Sequence, residues 1–351
     1  MYGGTGGAWK MKKTVAVLLL CLCLSACGAP SGDSGASLLG RASGLDEELC
    51  LLTVDGREVP AWRYLYWLAF TCDRVAERYR EAGGVLDWQA PLDGGTLADY
   101  AKDQALADTA LYATVENWAA RYGCALSDQD RQAIDDDWAE MAQAHGGEAN
   151  YLEELARLGL NRERAAELTG VGTLYGKLCT LRDTAGSALA PTQETLEAFA
   201  AESGRLTVDR VLIAAGNDRE AARKKAAETF AQLNGAEDQA AVFDALAKAG
   251  DDTAGPRTVL SGDGQFPAEL EEAAQALAVG QCSGILESDE GFSILRRLPP
   301  ETAGLAEDYF DGLLRKGAED SVVETTAEYE GLDAARFYQA LETLRGTEKA
   351  P

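Results

Sequence analysis

This 351-residue sequence has one histidine and eight cysteines with which to do chemistry beyond its many carboxylates and hydroxyls. The single histidine, His145, sits in AHGGE, where Gly146 and Gly147 end a helix, so it reads as a cation at a helix C-terminus. Beyond residue 27 the cysteines are Cys50, Cys72, Cys124, Cys179 and Cys282, an odd number without C-x-x-C spacing. Neither a disulfide framework nor a zinc site is legible in them, and they read as small buried hydrophobes. Asp135-Asp136-Asp137 has nothing nearby to complete a metal shell and reads as a solvated helix face. No nucleophile–base pair stands out, and no metal or cofactor is expected.

Cys27 is the exception. Lys12 and Lys13 precede the eleven-residue apolar run TVAVLLLCLCL, Thr14 to Leu24. About 20 apolar residues are needed to span a bilayer, so the run is too short for a membrane helix and fits the core of a secretory signal. The order Leu24-Ser25-Ala26-Cys27-Gly28 resembles the lipobox of bacterial lipoproteins. That resemblance implies that Cys27 is lipidated and becomes the mature N-terminus; an ordinary signal cut nearby is the alternative. Two acyl chains on one residue anchor a protein stably where one does not. MKKTVAVLLL at Met11 is itself a complete signal start, so the true initiator is expected there. The expected location is the extracytoplasmic face of the cell membrane, held by lipid.

Losing Lys10, Lys12 and Lys13, the only charges before Cys27, takes the formal net charge from −26 to −29. Such a surface repels nucleic acid and anionic headgroups, so no nucleic-acid partner is expected. The roughly 320 residues from Cys27 onward exceed the 100–200 usual for one domain.

The elements follow from periodicity. Residues 28–44, rich in Gly, Ser and Ala, read as a flexible tether. Leu49 to Val54 is a strand, Asp55-Gly56 a tight turn, and Pro60 opens a helix with an apolar stripe through Trp62, Leu65, Tyr66, Ala69 and Phe70. Further helices are expected over 97–122, 127–144 (with Ser127 and Asp130 as a capping box), 148–158 and 161–181. After Pro191 the pattern changes to a strand at 206–214, a helix capped by Asn217 and Glu220, and a helix at 242–248. A loop at Gly262-Asp263-Gly264, a helix at 267–277, and strands 282–286 and 292–298 joined across Asp289-Glu290-Gly291 follow. The fold class is α+β.

Residues 206–298 resemble the parvulin (PpiC-type) peptidyl-prolyl cis-trans isomerases. The segments that carry the resemblance are DRVLI, the helix with Phe230, VFDALAK, GQFPAELEEAAQAL, VGQCSGIL and EGFSILRRL. They stand in order where parvulins have a His-Ile-Leu strand, F-x-x-L-A-K, G-x-Met-x-x-x-Phe-E-x-A and Gly-Tyr-His-Ile-Ile. VDGREVPAWRYLYW through LCTL is similar to the N-domains of extracytoplasmic parvulin chaperones of the PrsA and SurA type. The resemblance implies a mainly helical chaperone domain, 45–190, into which a parvulin-like α+β domain, 205–299, is inserted. Segments within 304–346 then return to the helical domain.

Carried over residue by residue, the family's first histidine is Arg210 and its second Ser293. The pocket Met is Phe266 and the pocket Phe is Leu270; the Cys/Asp position is Asp252, and Phe292 joins the pocket. Leu270 fits core packing as well as ligand contact. Arg210 either pairs with Asp252 in place of the histidine network or faces solvent. The implied function is a membrane-tethered foldase that binds newly exported, unfolded chains and X-Pro segments, with weak or absent isomerase activity. The alternative is a non-catalytic assembly lipoprotein using the fold as a binding module. Trp62, Tyr64, Tyr66, Trp67 and Tyr79 are candidate client contacts, though the helical core is expected to take most of them. A two-lobed solute binder is disfavoured, because the long helical region lacks alternating βαβ units.

Overall fold

The computed structural model describes residues 36–92, 94–260 and 266–347. The chain divides into two compact units, one formed by residues up to 189 together with 310–351, the other by 190–309. Cys27 and the Gly262-Asp263-Gly264 loop lie outside the described residues.

The first unit starts with α1 (Leu38–Ser43), inside the stretch expected to be tether. The glycines and serines around it are compatible with a linker, but Leu38 and Leu39 are 5% and 0% exposed and draw the segment into the core. Ser37 caps α1 by accepting from Leu39 N at 3.1 Å, and its own N–H donates to Glu47 Oε2 at 2.9 Å. The strand β1 (Cys50–Val54) then turns through Asp55 (φ 50°) and Gly56 (φ 78°) into β2 (Arg57–Pro60). Two successive positive φ values define the tight hairpin turn that matches the twist of paired strands.

Pro60 sits at the N-cap of α2 (Ala61–Glu81), whose residues Trp62, Tyr64, Leu65, Trp67 and Leu68 are fully buried. A short ribbon, β3 (Pro91–Leu92) and β4 (Gly95–Thr96), leads into α3 (Leu97–Arg121). Thr96 with Asp99, and Ser127 with Asp130, form capping boxes that start α3 and α4 (Asp128–Ala144). α5 (Glu148–Arg157) and α6 (Arg162–Asp183) complete the run.

The second unit comprises α7 (Gln193–Glu202), β5 (Arg205–Ala214), α8 (Arg219–Asn234), α9 (Gln239–Ala249), β6 (Arg257–Leu260), α10 (Ala268–Ala276), β7 (Leu286–Ser288) and β8 (Gly291–Leu298). Its strands form one antiparallel sheet in the order β6-β5-β8-β7. Three local expectations are corrected. The N-cap of α8 is Asp218, whose side chain accepts from Ala221 N, rather than Asn217, one residue earlier. β6 is a strand where none was expected, following Gly255-Pro256, which signals only a break. The strand placed at 282–286 is β7 at Leu286–Ser288, with Cys282 making only an isolated bridge to Arg296.

α11 (Leu305–Glu319) begins in the second unit and ends in the first. β9 (Val323–Thr325) then adds to β1 as the third strand of a β2-β1-β9 sheet. After α12 (Ala327–Glu330), α13 (Ala334–Thr347) packs Phe337, Tyr338 and Leu341 into the core built on α2 and α3.

Candidate functional site

Directly opposed residues in an antiparallel sheet share a face, and successive residues alternate between faces. In the β5–β8 pairing Arg210 lies opposite Leu295, Leu212 opposite Ser293, and Val208 opposite Arg297. These six share the face that packs on α10, where Leu206, Val208, Val259, Phe266, Leu270, Ala274 and Leu295 form one core. The other face holds Val211, Ile213, Phe292 and Ile294 against α8 and α9. The structure therefore unites Arg210, Ser293, Phe266 and Leu270 and separates Phe292 from them. Phe292 follows from its neighbour: adjacent to Ser293 in one strand, it must point the opposite way. It is 2% exposed, with the guanidiniums of Arg219 and Arg223 at 5.4 and 5.2 Å from its ring centre.

Arg210 does not face solvent. It is 8% exposed, and its three guanidinium nitrogens are all engaged. Nε donates to Asp252 Oδ2 at 2.8 Å, Nη2 lies 2.6 Å from the same oxygen, and Nη1 donates to Glu290 Oε2 at 2.7 Å. A second guanidinium, Arg257 Nη2 on β6, reaches Asp252 Oδ2 at 2.6 Å. Burial alone would raise the Asp252 carboxyl, but the Ala254 N–H and the Arg210 and Arg257 charges outweigh it and hold the group below the usual carboxylate range. Asp252 is thus an ionised acceptor whose Oδ2 serves both arginines while Oδ1 accepts from Ala254 N at 3.2 Å.

Backbone contacts fix both carboxylates. The Asp251 N–H donates to Leu212 O at 2.9 Å, and Asp251 Oδ2 accepts from Ala214 N at 2.8 Å, which staples the loop after α9 to the end of β5. Glu290 O accepts from Ala215 N at 3.0 Å, and the next residue, Gly291, has φ 142°. A Cβ at Gly291 would lie 2.2 Å from Ile213 O, so only glycine brings this turn close enough to place Glu290 beside Arg210.

Phe266 (5% exposed) and Leu270 (0%) form an apolar floor next to these ion pairs. The Arg210 and Arg257 guanidiniums lie 5.5 and 5.6 Å from the Phe266 ring centre, within cation–π range. Ser293 is fully buried, and its hydroxyl has no hydrogen-bond partner. Among the described residues the site brings together an apolar floor and two guanidiniums paired with carboxylates. Arg257 and Glu290 were missed in the sequence: Arg257 lies on the unpredicted strand, and Glu290 reads only as a turn residue.

The remaining candidates lie away from this face. Trp62, Tyr64 and Trp67 are 2%, 0% and 2% exposed, while Tyr66 and Tyr79 are half-buried. His145 caps the C-terminus of α4 with Nδ1 2.6 Å from Glu154. Asp135 pairs with Arg162 at 3.0 Å, and among the described residues no group of three or more His, Cys, Asp or Glu side chains is arranged to hold a metal ion. Nor is any described helix long and apolar enough to cross a membrane.

Against known families, residues 192–298 match the model of the PPIC-type PPIASE domain. The second unit is therefore a parvulin-type domain, joined in one chain to a mainly helical unit, and the fold class is α+β as expected. No curated protein matches the sequence. Among solved structures, the foldase protein PrsA of Streptococcus pneumoniae is 18% identical, covering 73% of this chain and 93% of that one at a TM-score of 0.23. PrsA of Bacillus subtilis is 17% identical (73% and 90%, TM-score 0.22), and a SurA-like chaperone of Campylobacter jejuni 14% identical (76% and 99%, TM-score 0.24). As whole chains these superpose poorly.

Proposed function

We propose that the chain is an extracytoplasmic foldase of the parvulin family, tethered by lipid on Cys27, that binds unfolded polypeptide and X-Pro segments on the Phe266–Leu270 floor. The observation that supports this best is the PPIC-type match over 192–298, with Phe266 and Leu270, which stand at the family's two pocket positions, packed together on one face of the sheet. Isomerase turnover is weak or absent. Rotating a peptide bond faces a barrier of roughly 18–20 kcal/mol, and lowering it requires contacts stronger in the twisted state than in the ground state. Parvulins draw such contacts from a histidine cluster. Here Arg210 stands at one histidine position with its donors committed to Asp252 and Glu290, and Ser293 at the other holds an unpartnered hydroxyl. That saturation favours a second reading, a non-catalytic assembly module that uses the same floor to hold a partner segment.

The test is a proline-limited refolding reaction with the mature chain. The expected result is suppressed client aggregation with at most a small rate gain, together with a larger gain for the Arg210→His, Ser293→His double variant. Wild-type turnover equal to an active parvulin, unaffected by Asp252→Ala, overturns the weak-activity reading. Absence of both rate gain and aggregation suppression moves the chain to the assembly role. Tethering is checked separately: Cys27→Ala is expected to leave the membrane fraction, and unchanged partitioning removes the lipid from the proposal.

A further inference from the structure

Arginines of low exposure in this acidic chain pair with carboxylates. Arg63 is 2.7 Å from Glu116, Arg164 2.8 Å from Glu47, Arg210 2.6 Å from Asp252, Arg296 2.5 Å from Asp244, and Arg345 2.8 Å from Asp73. Arg297 breaks the pattern. It is half-buried on β8, no carboxylate lies within ion-pair distance, Nε is buried without any partner, and the guanidinium's one hydrogen bond is from Nη1 to Ala274 O at 3.2 Å. Burial pulls its pKa below the ordinary arginine value, with no opposing charge. The buried Nε is cut off from water without a partner while the rest of the guanidinium stays accessible, so an anion reaching it would offset that cost.

The surroundings have room for one. Arg297 lines an open cavity of about 350 Å³ with Ala201, Gly204, Leu206 and Gln275, all within the second unit. Ala201 and Leu206 supply apolar walls, Gly204 contributes no side chain, and the Gln275 amide is the other polar group. Arg297 is four residues along β8 from Ser293 on the same face, so the cavity is separate from the Arg210 cluster. We propose that it is a subsite for a single carboxylate on a short apolar stem, the glutamate or aspartate side chain of a bound polypeptide. One guanidinium balances one negative charge and offers the planar fork that a carboxylate accepts, whereas a phosphate dianion would remain half-neutralised in a chain of net charge −26.

The test uses the mature chain labelled with ¹⁵N-arginine, read at the Arg297 Nε–H resonance, with Ac-Ala-Glu-Ala-NH2, the neutral Ac-Ala-Gln-Ala-NH2 and inorganic phosphate as probes. The expected result is a saturable shift with the glutamate peptide and at least tenfold weaker binding of the glutamine peptide and of phosphate. Peptide binding is followed in parallel by competition. It is expected to be lost in Arg297→Gln and in Ala201→Trp, which fills the cavity mouth from an exposed position and leaves Arg297 in place. Equal binding of the two peptides, stronger binding of phosphate, or retention in a folded Ala201→Trp variant overturns the proposal. Because Ala201 is outside the core, this variant keeps the test valid even where Arg297→Gln fails to fold.

Discussion

Asp108 on α3 is a carboxyl that the fold treats differently from Asp252. It lines a cavity of about 30 Å³ between α2 and α3 with Thr71, Arg74, Val75, Arg78, Tyr100 and Gln104. Burial pushes its pKa up to about 6, and Arg74 only partly offsets this. The folded state therefore holds the Asp108 proton more tightly than the unfolded chain does. Its contribution to stability is most favourable below the ordinary value of 3.8, and is lost as pH rises through about 6. Asp108→Asn, which cannot ionise, is expected to stabilise the chain at pH 7.5 by on the order of 1–3 kcal/mol. The gain should vanish near pH 4, and denaturant titrations at the two pH values check it. Asp252 has the opposite sign: its lowered pKa makes the pairing with Arg210 and Arg257 present above the ordinary carboxylate range and lost in acid. Neither shift was legible in the sequence, because both depend on burial and on partners brought from other elements.

At the scale of elements, the β7–β8 turn is the most demanding piece of the second unit. Gly291→Ala is expected to cost at least about 3 kcal/mol, because the added Cβ meets Ile213 O and the positive φ is strained for any side chain. The variant should also release Glu290 from Arg210. A lower melting temperature together with a shifted Arg210 side-chain resonance checks both effects. Most helices were legible because their signals are local: Ser127 with Asp130 starts α4, and Gly123 at φ 72° follows the end of α3. The strands were less so. β6 is four residues long and is held by its pairing with β5, which no local pattern announces. Of the three candidate pocket residues, Phe266 and Leu270 pack in one core and Phe292 in the other, a separation that strand alternation already makes legible for Phe292 beside Ser293.

For the molecule as a whole, the second unit is one continuous stretch, 190–309, and the first is made from both ends of the chain. We propose that the stretch is an insertion that can be removed. Replacing 190–309 by a short flexible linker is expected to preserve helical circular dichroism and a cooperative melt. Loss of cooperative structure would place the boundary elsewhere.

The pairing of β1 with β9 has a consequence for time. Leu52 must wait for Thr325, and the Leu51 carbonyl for the Thr326 hydroxyl at 2.8 Å. A chain that emerges N-terminus first offers one edge of β1 bare until residues 323–325 have appeared, and a bare edge is a template for pairing with a neighbour. The 190–309 stretch needs no such wait, since its sheet closes on residues of its own. The later-synthesised unit can finish before the one that began first, and β9, three residues long and made after residues 190–309, seals a sheet begun about 270 residues earlier.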